Sequence, residues 1–321
     1  MKQKYRLTDE TIEYGGVTLY RIEALREFGN VRAGDKGGFV QSELNLSQEG
    51  DCWIYGKAAV YDKARVFGEA RVFGDVEVYG KARVFDKAEV FNEARVFGEA
   101  RVFGEARVFD EARVFDDVEV YGKARVFDKA EVFNEARVFG EARVFGEARV
   151  FDEARVFDEA RVFGDVEVYG KARVFDKAEV FNEARVFGEA RVFDKAEVYD
   201  EARVFGEAMV FDKARVFGEA RVYGDAMIAD IAKVCGDVRI YGNAEIFGDA
   251  IIKSIRDYIV FKNWWSSGRY FTWTRNNNMW KVGCFYGTGE ELITKAFLDS
   301  RESGIAYRRV VRYVNSILTN K

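Results

Sequence analysis

Along residues 52–249 a small, a charged, an aliphatic and an aromatic side chain follow in that order. A Gly, Asp or Asn comes next, then a residue that is usually charged, and the phrase restarts. Ala94-Arg95-Val96-Phe97-Gly98-Glu99 is a representative copy, and about 33 copies run in succession. The first four positions have the two-residue period of a short strand. Ala and Val fall on one face, the charged and aromatic residues on the other. The fifth position turns the chain, because Gly, Asn and Asp tolerate positive φ. Its restriction in copy after copy marks a backbone requirement.

Two ways of pairing such strands can be separated. An antiparallel meander would set Val72 opposite an Arg and mix apolar with charged side chains on one face. A parallel coil stacks each position on its own kind, Val on Val. Three hexads close a triangular coil of about 18 residues, so about 11 coils with a rise near 4.8 Å make a rod of roughly 50 Å. The pattern therefore predicts an all-β solenoid over residues 52–249.

The small residue two places before an aliphatic one resembles the strands of the hexapeptide-repeat family, over about 60% of the chain. That resemblance implies a left-handed parallel β-helix; the hand comes from the family alone, since the general crossover rule favours the right hand. One departure stands out: Phe or Tyr directly follows the aliphatic residue, where the family usually has a small or acidic one.

Both ends break the hexad. Residues 1–51 read as a β-rich cap, with Thr11-Ile12-Glu13-Tyr14 and Val17-Thr18-Leu19-Tyr20 flanking Gly15-Gly16 as a hairpin. Together with Gly37-Gly38-Phe39-Val40, Asn45-Leu46-Ser47 and Gly50-Asp51-Cys52-Trp53-Ile54-Tyr55, this leader resembles the start of YdcK-like hexapeptide proteins. It is also similar to Tyr-Gly-rich hexapeptide proteins of phages and gut bacteria. Neither resemblance implies an activity. Residues 250–321 read as a small α+β module, with strands over Tyr258–Trp265, Tyr270–Thr274 and Met279–Tyr286. Thr288 and Glu291 form a capping-box signal for a helix to about Leu298. A second helix spans about Glu302 to Leu318, with Tyr307, Val310, Val311, Val314 and Leu318 on one face.

Above the hexad lies a longer repetition. The string Asp-Val-Glu-Val-Tyr-Gly-Lys-Ala-Arg-Val-Phe-Asp-Lys-Ala begins at Asp75, Asp117 and Asp165. The two steps are whole hexads but not whole coils, which places duplicated segments on different faces and suggests a variable rod length.

Charge and composition narrow the partners. Lys and Arg total 50 against 55 Asp and Glu, a net charge of −5, so no global field points to nucleic acid or membrane. No apolar segment follows Met1-Lys2-Gln3-Lys4, and no apolar run is long enough to span a bilayer. Cys52, Cys235 and Cys284 are widely spaced, which suggests a reducing compartment, and a cytoplasmic location is expected.

The chain has no histidine. Acyltransferases of the hexapeptide family are implied to use a catalytic His, and its γ-type carbonic anhydrases to hold zinc on His, so neither role maps onto a residue here. Three isolated cysteines give no metal-ligand spacing. No catalytic residue, cofactor or metal is expected, and the repeat carboxylates alternate with Arg and Lys and look solvated.

Three surfaces remain as candidates. Arg107, Arg125, Arg143 and Arg161 stack in one row and Arg137, Arg155, Arg173 and Arg191 in another, a spacing that suits phosphates. Glu or Lys two residues before most of these arginines predicts local neutralisation, so nucleic acid is not the expected partner. The aromatic position forms ridges, one of them Phe67, Phe85, Phe103, Tyr121, Phe139, Phe157, Phe175 and Phe193. Such a ridge is either a seam for lateral self-association into a homo-oligomer or intrachain cladding by ring stacking and cation–π contact. In the carboxy-terminal module, Trp264, Trp265, Arg269, Tyr270, Trp273, Arg275, Trp280 and Lys281 are an aromatic–basic candidate surface for a nucleotide, nucleic acid or sugar, or alternatively a small core. The reading is a structural or interaction protein, a capped rod for spacing, display or assembly. A ligand-binding module on a stalk is the second reading, and a hexapeptide acyltransferase-like enzyme the third.

Overall fold

The computed structural model describes residues 3–263 and 268–319. It contains two compact units, Met1–Asp194 and Lys195–Lys321, and in both the hexads form a parallel β-solenoid.

The first unit opens with the expected hairpin. Tyr5–Tyr14 runs antiparallel to Val17–Ala24, closing at Tyr14 opposite Val17. Gly15 and Gly16 make the turn at φ 56° and 81°, the left-handed pair that a tight hairpin requires. Lys36–Val40 then pairs antiparallel with the hairpin and parallel with Ala59–Val60. It converts the leader into the first coil. A Cβ on Gly38 would lie 2.4 Å from the Ala58 carbonyl oxygen, so this close approach admits only glycine.

From there each position lies on the same position one coil away. Val66 pairs with Val84, Val84 with Val102, and Val102 with Val120. The Arg83 and Phe85 amides donate to the Ala100 and Val102 carbonyls at 2.8 and 3.0 Å. Ala82, Val84, Ala88 and Val90 are fully buried, so the core is the inner column of small and aliphatic side chains. The corner position shows why Asp serves as well as Gly. Asp86 and Asp128 adopt φ 56° and 58°, and their carboxylates accept from the Gly104 and Gly146 amides of the next coil at 3.3 and 3.1 Å. The side chain thus bonds an amide that the turn leaves without a ladder partner.

The longer repetition needs one correction. Glu77–Val78 and Glu167–Val168, in the first and third copies, belong to one sheet, and Glu119–Val120 of the second copy to another. Asp75 and Asp165 are five 18-residue coils apart, so those two copies return to the same face.

In the second unit the coils continue through Arg239–Ile240, Glu245–Ile246 and Ile251–Ile252, the last strand on each face. An antiparallel sheet follows, of Tyr258–Lys262, Tyr270–Thr274, Met279–Val282 and Phe285–Thr288. The strand expected over Met279–Tyr286 is two strands, because Gly283 at φ 54° reverses the chain inside it. The one expected from Tyr258 ends at Lys262, and Trp264 and Trp265 lie outside the described residues.

Helix α1, Gly289–Asp299, starts at the predicted box: the Glu291 amide donates to Thr288 Oγ1 at 3.3 Å, and the Thr288 amide to Glu291 Oε2 at 2.8 Å. Helix α2 spans Arg301–Thr319. Val311 and Val314 are buried with Phe271, Trp273, Trp280, Val282 and Leu292, and Tyr307 and Val310 pack against that cluster. The Leu318 side chain lies outside the described residues.

This module closes the solenoid with side chains, one per face. The Tyr258 hydroxyl donates to the Arg239 carbonyl at 2.8 Å. The Glu245 amide donates to Thr272 Oγ1 at 2.9 Å, and the Ile251 amide to Asn276 Oδ1 at 2.7 Å. Groups that would otherwise template pairing with a further strand are thereby occupied.

Candidate functional site

The aromatic position decides what the lateral surface is. In the first unit the rings form three ladders and are half-buried. Phe67 stacks on Phe85 with centroids 4.8 Å apart and planes 3° from parallel, and Phe85 on Phe103 at 4.9 Å. The same ladder runs on through Tyr121, Phe139, Phe157 and Phe175 to Phe193, in steps of 4.8 to 4.9 Å. The other two ladders repeat the geometry, as in Phe91–Phe109 at 4.7 Å and Phe97–Phe115 at 4.8 Å. Parallel planes with centroids nearly 5 Å apart mean offset stacking, the arrangement ring quadrupoles favour. Burial in the ladder pushes the Tyr79 and Tyr121 hydroxyls above their ordinary value.

The ladders have built ends. Tyr14 of the leader leans on Tyr61 at 5.7 Å, and its hydroxyl donates to Glu77. Burial, reinforced by that carboxylate, pushes Tyr14 up to about 12. In the second unit the aromatic gives way to Ala229, which is fully buried, and to Cys235. Phe247, one coil beyond Ala229, meets Phe211 edge-on at 6.0 Å. Of the two contacts expected for cladding, stacking recurs along all three ladders, and a guanidinium lies over a ring where Arg65 meets Phe67 at 5.8 Å.

The charged position is organised differently from the sequence expectation. The partner of an Arg is a Glu at the same position one coil away, and not the residue two places earlier. Arg107 pairs with Glu89 at 3.1 Å and Arg101 with Glu119 at 3.2 Å. Lys81–Glu99 at 2.5 Å and Lys123–Glu141 at 3.2 Å do the same at the sixth position, just after the corner. The coil rise brings like positions to about 4.8 Å, closer than residues separated by the corner. Glu89 and Glu179 pair with Arg107 and Arg161 and so bracket the row that also holds Arg125 and Arg143. Among the described residues neither Arg125 nor Arg143 has a carboxylate within ion-pair distance. The same holds for Arg155, Arg173 and Arg191, which follow the Glu119-paired Arg137. These pairs are exposed to solvent, and each contributes little.

The carboxy-terminal candidates are divided by burial. Trp273 and Trp280 are each 1% exposed and sit in the core. The Trp273 Nε1–H donates to Asn278 Oδ1 at 2.9 Å. These two indoles therefore pack the module and present no ring face to a ligand. Lys281 is also committed: its ammonium lies 4.6 Å from the Phe247 ring, 3.5 Å from Glu245, and donates to the Gly283 carbonyl. Tyr270 is half-buried with Lys262 above its ring at 5.6 Å, and the Arg275 amide donates to the Asp257 carbonyl at 2.8 Å. Arg269 is exposed. The structure brings the Trp pair together as core and leaves the basic groups around it.

Two further features bear on chemistry. Acidic grooves follow the corners, one of about 640 Å³ lined by Asp75, Glu93, Asp110, Glu111 and Asp128. Among the described residues no group of three or more His, Cys, Asp or Glu is arranged to hold a metal ion, and no helix is long and apolar enough to cross a membrane. A close contact between Lys4 and Cys52 escaped the sequence reading, because nothing in the pattern signals a pairing across 48 positions.

Comparison with known proteins finds a likeness over a short stretch. Over 65 residues the chain is 38% identical to a protein of Escherichia coli (strain K12) called uncharacterized acetyltransferase YdcK, covering 18% of this chain and 20% of that protein. The chain thus matches about a fifth of that relative's length. No family model matches the chain. Like positions stacked at 18-residue intervals and a corner at every sixth residue make the chain a parallel β-solenoid built on a six-residue repeat.

Proposed function

We propose that the protein is a non-enzymatic scaffold, a capped β-helical element whose work is spacing, display or assembly. The observation that carries this reading is how many outward groups are used within the chain, Arg125, Arg143, Arg155, Arg173 and Arg191 excepted. Rings stack on rings, Glu pairs with Arg one coil away, and corner carboxylates bond corner amides. A surface largely satisfied from within supports regularity and persistence, and the arginines left without a carboxylate stand in rows of like charge, not beside an acid or base with which they could act in catalysis. The stacked ladders also support the cladding reading of the aromatic ridges over lateral self-association.

The relative's name raises acetyl transfer as the competing reading. The absence of histidine weighs against it, since the fold alone supplies no general base. The test is a CoA-release assay with acetyl-CoA and a panel of amine and hydroxyl acceptors, alongside metal analysis of the purified protein. No release above background and no stoichiometric zinc are expected. Turnover that scales with enzyme concentration would replace the scaffold reading with the enzymatic one.

A further inference from the structure

Lys4 is a cationic side chain with no exposed surface, enclosed where the leader meets the first coil. Its Nζ lies 3.0 Å from the Cys52 carbonyl oxygen, 3.3 Å from that of Gly50 and 3.4 Å from that of Glu49. The Phe28 ring is 5.0 Å away. The fourth polar neighbour is Cys52 Sγ, at 3.2 Å, and this thiol is also fully buried. Around the sulfur the Ser47, Glu49 and Val66 carbonyl oxygens stand at 3.7 Å. A hydrogen bond to a carbonyl would have sufficed to seat the lysine. Here the amine has three carbonyl partners and is held against a nucleophilic sulfur as well, with solvent excluded from both.

We propose that this dyad is an oxidation site at which hydrogen peroxide joins Lys4 Nζ to Cys52 Sγ as a sulfenamide, stapling the leader to the first coil. In the first step peroxide transfers an oxygen to Sγ, giving a sulfenic acid and one water. In the second the Nζ lone pair attacks the sulfur, and the S–O bond breaks. The departing hydroxide leaves as water with the proton that Nζ gives up. One peroxide is reduced to two waters, and the thiol and the amine lose one hydrogen each.

Burial favours the second step over the alternatives. It lowers the lysine from its ordinary value, so more of the amine is neutral and nucleophilic, and it limits access of further peroxide to the sulfur. Burial also raises the thiol, which slows the first step relative to the exposed Cys284. The site therefore responds to sustained oxidant and not to a brief pulse.

The experiment treats the full-length protein with hydrogen peroxide over several hours, digests it without reductant, and maps the peptides by mass spectrometry. The expected product joins the peptides that carry Lys4 and Cys52, about 2 Da lighter than their sum, and separates on adding dithiothreitol. Cys284, the internal control, should advance to sulfinic acid over the same period. Oxidised wild type should melt higher than reduced protein, whereas Cys52→Ser, which keeps a small polar side chain in the cage, should show no shift and no joined peptide. The inference is overturned if Cys52 accumulates as sulfinic acid with Lys4 free. It is equally overturned if Cys52 is still a thiol once Cys284 is fully oxidised.

Discussion

Replacing Phe139 with Thr removes one rung from the middle of a ring ladder. Phe139 stacks on Tyr121 at 4.9 Å and on Phe157 at 4.8 Å. Each stack is worth about 0.5–1.5 kcal/mol beyond area. Half-burial of a ring that spans about 200 Å² adds roughly 2.5 kcal/mol at about 25 cal/mol per Å². The single substitution should therefore cost about 3.5–5.5 kcal/mol. The informative quantity is the coupling with its neighbour. Phe139→Thr and Phe157→Thr destroy the same stack, so the double variant should be less damaged than the sum by about 0.5–1.5 kcal/mol. Phe145 belongs to another ladder, stacked on Phe127 and Phe163, and Phe139→Thr with Phe145→Thr should add to within about 0.5 kcal/mol. Urea unfolding followed by circular dichroism and tryptophan fluorescence gives the energies, provided the two probes coincide. Sedimentation of each variant gives the mass. Equal additivity in both pairs would refute stacking as the force that holds the position aromatic. A fall in mass on substitution would show that the rings hold a second copy.

Two further predictions concern the coil and its closure. Deleting residues 101–118 joins Ala100 to Glu119 in phase and removes one whole coil, so far-ultraviolet dichroism and a cooperative melt should survive. Deleting residues 101–103 instead reverses strand parity and turns charged side chains inward, and should abolish the melt; equal tolerance would contradict the 18-residue register. Tyr258 is buried, and burial pushes its hydroxyl up to about 12. The neutral form is the one the fold favours, so its contribution of about 2–3 kcal/mol is complete below pH 10 and is lost as the pH rises towards 12. Tyr258→Phe should remove that part of the alkaline loss in melts taken across this range, together with the hydrogen bond to Arg239.

How much was legible in the sequence depends on whether a feature is written in period or in contact. The parallel solenoid, its coil length, the leader hairpin at Gly15-Gly16 and the Thr288 capping box all follow from local rules. Alternation puts Ala and Val inward, and a corner residue that must take positive φ recurs every sixth place. The strand break at Gly283 was missed because a lone glycine among mostly apolar residues can also sit inside a strand, and only its positive φ makes it a turn.

The outward half of the repeat was the part that residue types alone left open, because a charged or aromatic side chain on a strand has several neighbours within reach. Arg107 had an acidic residue close in sequence, yet it pairs with Glu89, since the coil rise is shorter than the path around a corner. Trp273 and Trp280 had the composition of a binding surface, and packing of α1 and α2 over the last sheet made them core. Lys4 and Cys52 meet only because the leader folds back on the first coil. The inward pattern and the turn, repeated six residues at a time, determined the fold from the sequence alone. Which outward groups face each other was decided by the stacking of one coil on the next and by how the two ends fold back.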